Sequence, residues 1–276
     1  MSYPIRLPSD GPLVTVTHPT PIIWLLELHN GLDNRLTETL LAKALLPALD
    51  AVERAWRESW RAAQSAKDPE GGRGALIIVG NRAQNKFFSN GLDYDNTMNT
   101  PYSTTNFMPL VFCPVMRKLL TFPIPTIAAL NGHVFAAALI LSLCCDYRIM
   151  TDGSIRRAWM CMNEIHFGAA IPVAFTAVIR AKVSDTRAQQ AITLEGRRFS
   201  PQEAHEVGLI DDIVKGDTEA VVARAQEVAE GKAAFARSGA YGVIKRELYR
   251  DVWEAGLRDL ILPSVGADDA AAKARL

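Results

Sequence analysis

Apolar residues along this chain fall in short runs divided by turn residues, and the runs alternate between strand-like and helix-like spacing. Val14-Thr15-Val16 and Ile22 to Leu28 predict two strands parted by Pro19 and Pro21. Helical spacing then runs from Glu38 to about Ala66, with Thr37 as N-cap and Pro47 as a kink point. Asp68-Pro69 and Gly71-Gly72 mark a surface loop from Ser65 to Gly74. Ala75 to Val79 predicts a short strand, Phe87-Phe88 opens an irregular polar stretch reaching about Asn106, and a helix is expected from about Phe107 to Leu120.

The stretch from Ile127 to Arg148 carries the densest apolar pattern. Ile127 to Leu130 predicts a buried strand, Asn131-Gly132 a turn, and Val134 to Cys145 a buried helix that stops at Asp146. Tyr147 to Met150 and Leu209 to Val214 predict strands, and Trp159 to Ile165 an extended segment. Ile171 to Ala181 and Thr186 to Thr193 are helical in pattern, and Ser200-Pro201 with Glu203 is a helix start. Helical patterns recur near 218–237, 241–249 and 252–262. Strand–helix alternation through the first two-thirds predicts an α/β fold with a helical C-terminal part. On this reading residues 1–215 form the core and residues 216–276 a helical region with an exposed tail. The helices beyond Thr218 have no obvious partner within the core.

Composition adds bounds. A chain of 276 residues that is 49% hydrophobic supports a sizeable core, in one large domain or one domain with an appended helical part. Thirty basic residues balance thirty acidic ones, so no general field favours nucleic acid, and an anionic ligand must be held by local groups. Cys113, Cys144, Cys145 and Cys161 lack metal-ligand spacing and read as reduced thiols in an intracellular compartment. No metal is expected. Residues Met1 to Asp10 include Pro4 and Pro8 and do not read as a secretory signal. The run from Val134 to Cys145 is too short to span a bilayer.

Candidate chemistry lies in three segments. A strand, an Asn-Gly turn and a buried helix aim a helix N-terminus, with its free N–H groups, at whatever lies in front of it. The small residues Ala136, Ala137 and Ala138 sit at the first turn of that helix and let another molecule approach the backbone. The second segment, Ser89-Asn90-Gly91-Leu92-Asp93, is by itself an ordinary turn after a strand. The third, Met162-Asn163-Glu164-Ile165-His166-Phe167-Gly168, places a carboxylate just ahead of a glycine.

Together these segments resemble the crotonase family, the enoyl-CoA hydratase/isomerase superfamily, and Leu194 to Val214 resembles its helix–strand segment. The resemblance covers most of residues 13–262. It implies an α/β spiral of ββα units, with C-terminal helices that pack on neighbouring subunits in a trimer or a hexamer. It implies an acyl-CoA thioester as substrate, with coenzyme A arriving as part of that substrate and no separate cofactor. The family's oxyanion hole carries over to the backbone N–H groups of Leu92 and Ala137. Its substrate-binding positions carry over to Ser89, Asn90, Gly91, Asp93, Ala136 and Ile140, and its acid/base to Glu164. The chain departs from the family where glycines are replaced by Ala136, Ala137 and Ala138. A backbone N–H survives that exchange where the backbone angles suit alanine.

Ile140 stands where family hydratases have a second Glu. Hydration needs a water held by two carboxylates, whereas moving a double bond needs one base and a stabilised dienolate. A lone Glu164 opposite an apolar Ile140 therefore implies isomerisation, and an apolar wall would raise the Glu164 pKa. Asp146-Tyr147-Arg148 and the segment Tyr241 to Tyr249 resemble the peroxisomal Δ3,Δ2-enoyl-CoA isomerase branch. Hydration, dehydration or thioester hydrolysis on the same oxyanion hole is the alternative chemistry. An acyl-CoA-binding protein without turnover is the alternative class. Arg35, Lys245 and Arg246 are candidates for the CoA phosphates, against a reading as solvated charge. His133, His166, Asp93 and Asp146 read as structural. Ala274-Arg275-Leu276 has the chemical types of a Ser-Lys-Leu address, so the expected location is the peroxisome.

Overall fold

A computed structural model describes residues 2–97, 103–257 and 264–275. The chain opens with β1 (Ile5–Leu7), β2 (Val14–Thr20) and β3 (Ile23–Leu28). β2 runs through Pro19, and its pairing with β3 shifts register between Thr17 and Thr20, close to that proline. A π-helical stretch, Thr39–Leu45, leads into α1 (Leu46–Ala66), and the change in winding falls beside Pro47, which lacks an N–H to donate. The Thr37 hydroxyl accepts from Leu40 N at 3.2 Å, as an N-cap residue does.

Repeated units follow. β4 (Ala75–Val79) leads to β5 (Phe87–Ser89) and to the short α2 (Tyr94–Thr97). A second π-helical stretch, Ser103–Phe112, runs into α3 (Cys113–Leu120). Then come β6 (Thr126–Leu130), β7 (His133–Phe135) and α4 (Ala137–Cys144). β8 (Tyr147–Thr151) and β9 (Met160–Cys161) are followed by a 3-10 turn at Glu164–Phe167. α5 (Val173–Lys182), α6 (Thr186–Thr193), α7 (Pro201–Glu206) and β10 (Asp212–Val214) complete the core strands. α8 (Thr218–Lys232), α9 (Tyr241–Leu248), α10 (Arg250–Ala255) and α11 (Val265–Lys273) finish the chain. Part of the irregular stretch expected to reach Asn106, the end of the helix expected to reach Leu262, and Leu276 lie outside the described residues.

Each unit sends its first strand to one sheet and its second to another. The large sheet has the order β1-β2-β3-β4-β6-β8-β10 and the small one β5-β7-β9. From β3 onward every pairing is parallel. This is the α/β spiral of ββα units expected from the resemblance.

The central strands are buried on both faces, so they read as nearly continuous apolar runs. Along β4, Leu76 and Ile78 join the main core with α1, α3, α4 and α5, while Ala75, Ile77 and Val79 face the other way. That second face is covered by Val221, Val222, Ala225 and Ala229 of α8. Contrary to the expectation that the helices beyond Thr218 lack a partner in the core, α8 packs on the sheet. Its buried residues form a narrow, alanine-rich stripe that a strongly apolar pattern does not announce. α10 packs on α5, and all of α11 is exposed.

Two further expectations change. Val134 belongs to β7, not to the helix, because an unbroken apolar run cannot show where a short strand ends and a helix begins. The extended segment from Trp159 is a strand only at Met160–Cys161, and Glu164 lies on a 3-10 turn.

Candidate active site

The segment from Ser89 to Asp93 leaves the end of β5 and is held from one side by residues 30–36. Asn34 is fully buried at φ +55°. Its side-chain amide donates to Leu28 O at 3.0 Å and Phe88 O at 2.8 Å, and its Oδ1 accepts from Asn30 N at 2.8 Å. The Ser89 hydroxyl donates to Asn34 O at 2.7 Å. Asn90 donates from its backbone to Asp33 O and from its side chain to Asp33 Oδ2. Gly91 O accepts from Leu36 N at 2.8 Å, and Leu92 O accepts from Arg35 Nη1 at 3.0 Å. The carbonyls on either side of the Leu92 N–H are thus both engaged toward residues 35 and 36.

On the other side lies the start of α4. Ala136 is its N-cap, and Ala137 and Ala138 are the first helical residues, where N–H groups have no partner within the helix. Gly91 packs directly on this turn. A side chain there would begin 2.8 Å from Ala136 Cβ, 2.7 Å from Phe135 O and 3.3 Å from Ala137 N. Gly91 also has φ +79°, so both space and backbone require glycine. The close approach brings the Gly91 backbone, just ahead of Leu92, against the turn that carries the Ala137 nitrogen.

Glu164 completes the arrangement. Asn163 precedes it, and Gly168 at φ +72° ends its turn, with Ala169 N donating to Glu164 O at 3.0 Å. The side chain is 8% exposed, and Oε2 has no hydrogen-bond partner. Burial pushes its carboxyl up to about 7. A hydrogen bond from the residue's own backbone opposes that rise without cancelling it, and a buried carboxyl poised near neutrality suits a group that takes up a proton and returns it.

A cavity of about 710 Å³ joins these parts. Its wall includes Asn90, Leu92, Ala136 and Glu164, with Phe167, Pro172 and Phe175 as apolar surface. Ala137 is fully enclosed and does not line the cavity; its nitrogen lies beside Gly91, next to the lining residue Ala136. Ser89, Gly91 and Asp93 do not line the cavity. Ser89 is tied to Asn34, Gly91 spaces the loop from α4, and the Asp93 carbonyl and carboxylate bind Thr97 and Asn96 at the start of α2. Ile140 is fully buried in the core and is not part of the wall. The apolar surface near Glu164, expected from Ile140, comes instead from Leu92, Phe167, Pro172 and Phe175, because α4 turns Ile140 inward.

Other candidates separate clearly. Arg35 lines the cavity while holding Asp33 at 2.7 Å. Lys245 is buried and ion-paired with Asp146 at 2.8 Å, and Arg246 lines a different cleft with Glu53, Arg57 and Lys118. Asp146 also accepts from Thr126 N and Oγ1, pinning the end of α4 to β6. His133 stacks between Phe135 and Trp159, and its Nδ1 accepts from Trp159 N at 3.1 Å. His166 reaches Gly196 O at 3.1 Å. Sequence reasoning passed over Asn34, seen only as loop chemistry, and Asp95, an exposed carboxylate on the cavity wall. Among the described residues no helix is long and apolar enough to cross a membrane, and no cluster of His, Cys, Asp and Glu could hold a metal ion.

A family model described as enoyl-CoA hydratase/isomerase matches residues 62–252. The peroxisomal enoyl-CoA delta isomerase 2 of Arabidopsis thaliana is 36% identical over 186 residues, covering 65% of this chain and 75% of that protein. The mitochondrial enoyl-CoA delta isomerase 1 of Mus musculus is 34% identical over 100 residues, covering 36% of this chain and 34% of that one. In three dimensions the chain is similar to an enoyl-CoA hydratase/isomerase family protein from Pseudomonas syringae. The TM-score is 0.70 at 22% identity, over 89% of this chain and 95% of that one.

Proposed function

Because the chain belongs to the enoyl-CoA hydratase/isomerase family, we propose that it is an enoyl-CoA isomerase of fatty acid oxidation, moving the double bond of a 3-enoyl-CoA to the trans-2 position. The observation that carries this reading is Glu164, whose buried carboxyl, with Oε2 unpartnered, opens on the same cavity as the Leu92 and Ala136 segment. Glu164 takes a proton from C2. The thioester oxygen gathers the resulting charge and accepts hydrogen bonds from the Leu92 and Ala137 N–H groups. The dienolate then takes the proton back at C4, leaving the conjugated thioester. Coenzyme A enters and leaves as part of the substrate, and the proton cycle needs no further group.

Glu164 is the buried carboxylate of the cavity, and Asp95 is exposed. One enclosed acid/base favours transposition over addition of water, which uses two carboxylates to hold and polarise that water. Assays of the purified protein with straight-chain 3-enoyl-CoA and 2-enoyl-CoA test the reading. Conversion of the first without hydration of the second supports isomerisation. Hydration of the second without conversion of the first contradicts it.

Assembly and location belong to the same reading. Val243, Ile244 and Leu248 give α9 an exposed apolar face that suits packing between copies in a trimer or a hexamer. Light scattering at micromolar concentration that returns a monomer mass contradicts it. Residence in the peroxisome is supported by the peroxisomal relative, while a mitochondrial one is also similar. Co-localisation of the chain carrying an N-terminal fluorescent fusion, with and without Ala274-Arg275-Leu276, distinguishes the two compartments.

A further inference from the structure

Ala136 has φ +52° and ψ −127°. An L-residue seldom adopts such angles, because its Cβ crowds the backbone, whereas glycine adopts them freely. The other non-glycine residues described with positive φ are Asn34 and Lys67. Asn34 is fixed by side-chain hydrogen bonds, and Lys67 ends a helix in the left-handed conformation. Ala136 has neither reason. It sits where the helix that supplies the Ala137 amide begins, and its carbonyl accepts from Leu139 N at 2.9 Å.

The side chain that costs this strain is placed at the reacting centre. Covalent geometry keeps Cβ of a residue within about 3.5 Å of the next residue's nitrogen. An oxygen bound to the Ala137 N–H lies about 2.9 Å from the same nitrogen. The Ala136 methyl therefore lies within about 6 Å of a thioester oxygen held there, on the wall of the cavity that takes the acyl group. Its other neighbour is Gly91, and Ala136 shares the cavity wall with Leu92 and Glu164. On the acyl-CoA reading Glu164 of the same wall acts at C2, and a substituent on C2 meets this methyl.

We infer that Ala136 is a specificity-determining residue that restricts the cavity to acyl thioesters unbranched at C2. The inference rests on the acyl-CoA reading of the site. Glycine at this position would accept the same backbone angles and open the volume of one methyl group.

The test is calorimetric binding of a saturated straight-chain acyl-CoA and its 2-methyl analogue of equal length, to the wild type and to Ala136→Gly. Turnover of a straight-chain 3-enoyl-CoA by the wild type is measured in parallel. One misfitted methyl group is worth about ten-fold or more, so the wild type should prefer the straight chain by at least that factor. In Ala136→Gly the preference should fall below about three-fold. Equal binding of the two thioesters by the wild type, or an unchanged preference in the variant, overturns the inference. Turnover with equal binding leaves the isomerase reading in place and removes the inference. Selective binding without turnover does the reverse. A wild type that binds neither thioester overturns both.

Discussion

Replacing Asn34 by alanine probes how the oxyanion loop is held. The substitution deletes two donors, to Leu28 O and Phe88 O, and one acceptor for Asn30 N, all within 2.8–3.0 Å. Asn34 is fully buried, so water does not simply take its place. An unsatisfied buried group costs about 1–3 kcal/mol, which gives roughly 3–9 kcal/mol for the set. Asn30 is only half-buried, and water can reach its N–H, so the lower half of that range is expected. Alanine at φ +55° adds about 1 kcal/mol of strain that glycine does not carry. Asn34→Gly should therefore be the milder variant although it loses the same hydrogen bonds. Urea unfolding monitored by circular dichroism measures both, and at this chain length roughly 2 °C of Tm accompanies each kcal/mol. Since Phe88 O, one residue before Ser89, is anchored on the Asn34 side chain, turnover should fall by about ten-fold or more, with kcat affected more than KM, although the bond from the Ser89 hydroxyl to the Asn34 main-chain carbonyl remains. Loss of under about 1 kcal/mol in Asn34→Ala would refute the reasoning, because it would mean that Asn34 does not carry the loop.

Three further predictions concern the site. Glu164 has a folded-state pKa of about 7, so kcat/KM should rise with pH and level off above that value. The same raised pKa means that the folded state binds the proton more tightly than the unfolded one. The stability this contributes is full below the unfolded value near 4.5 and is lost as pH rises through about 7, amounting to about 3 kcal/mol. Glu164→Gln should accordingly exceed the wild type in urea resistance at pH 8, with the gap closing near pH 5. Ala136→Gly relieves about 1–3 kcal/mol of strain and adds about 0.5–1 kcal/mol of backbone entropy cost. A net gain of a few degrees in Tm is expected by calorimetry, and a fall in Tm would mean that the conformation is unstrained.

Much of the fold was legible because its core strands are buried on both faces. Ala75–Val79 and Thr126–Leu130 stand out as apolar runs bounded by turns. The site was legible as three short segments whose order matched a family. What stayed hidden was local geometry. β7 is continuous in composition with α4, so periodicity could not divide them. The positive φ of Ala136 shows in the sequence only through the family's glycine, and nothing there separates Ala136 from Ala137 and Ala138. Asn34 looks like any turn residue next to Asp33, and only the fold brings Phe88 and Ser89 to it. The family resemblance implies that Ile140 faces the cavity, and the helix's orientation sends it into the core.

The central claim is that the Glu164 carboxyl moves the proton. The most direct measurement is kcat of Glu164→Gln on a straight-chain 3-enoyl-CoA, with acyl-CoA binding measured on the same preparation. Loss of a general base lowers the rate by roughly 10²–10⁴, and the account predicts a fall of that size with binding retained. Turnover close to that of the wild type would contradict it.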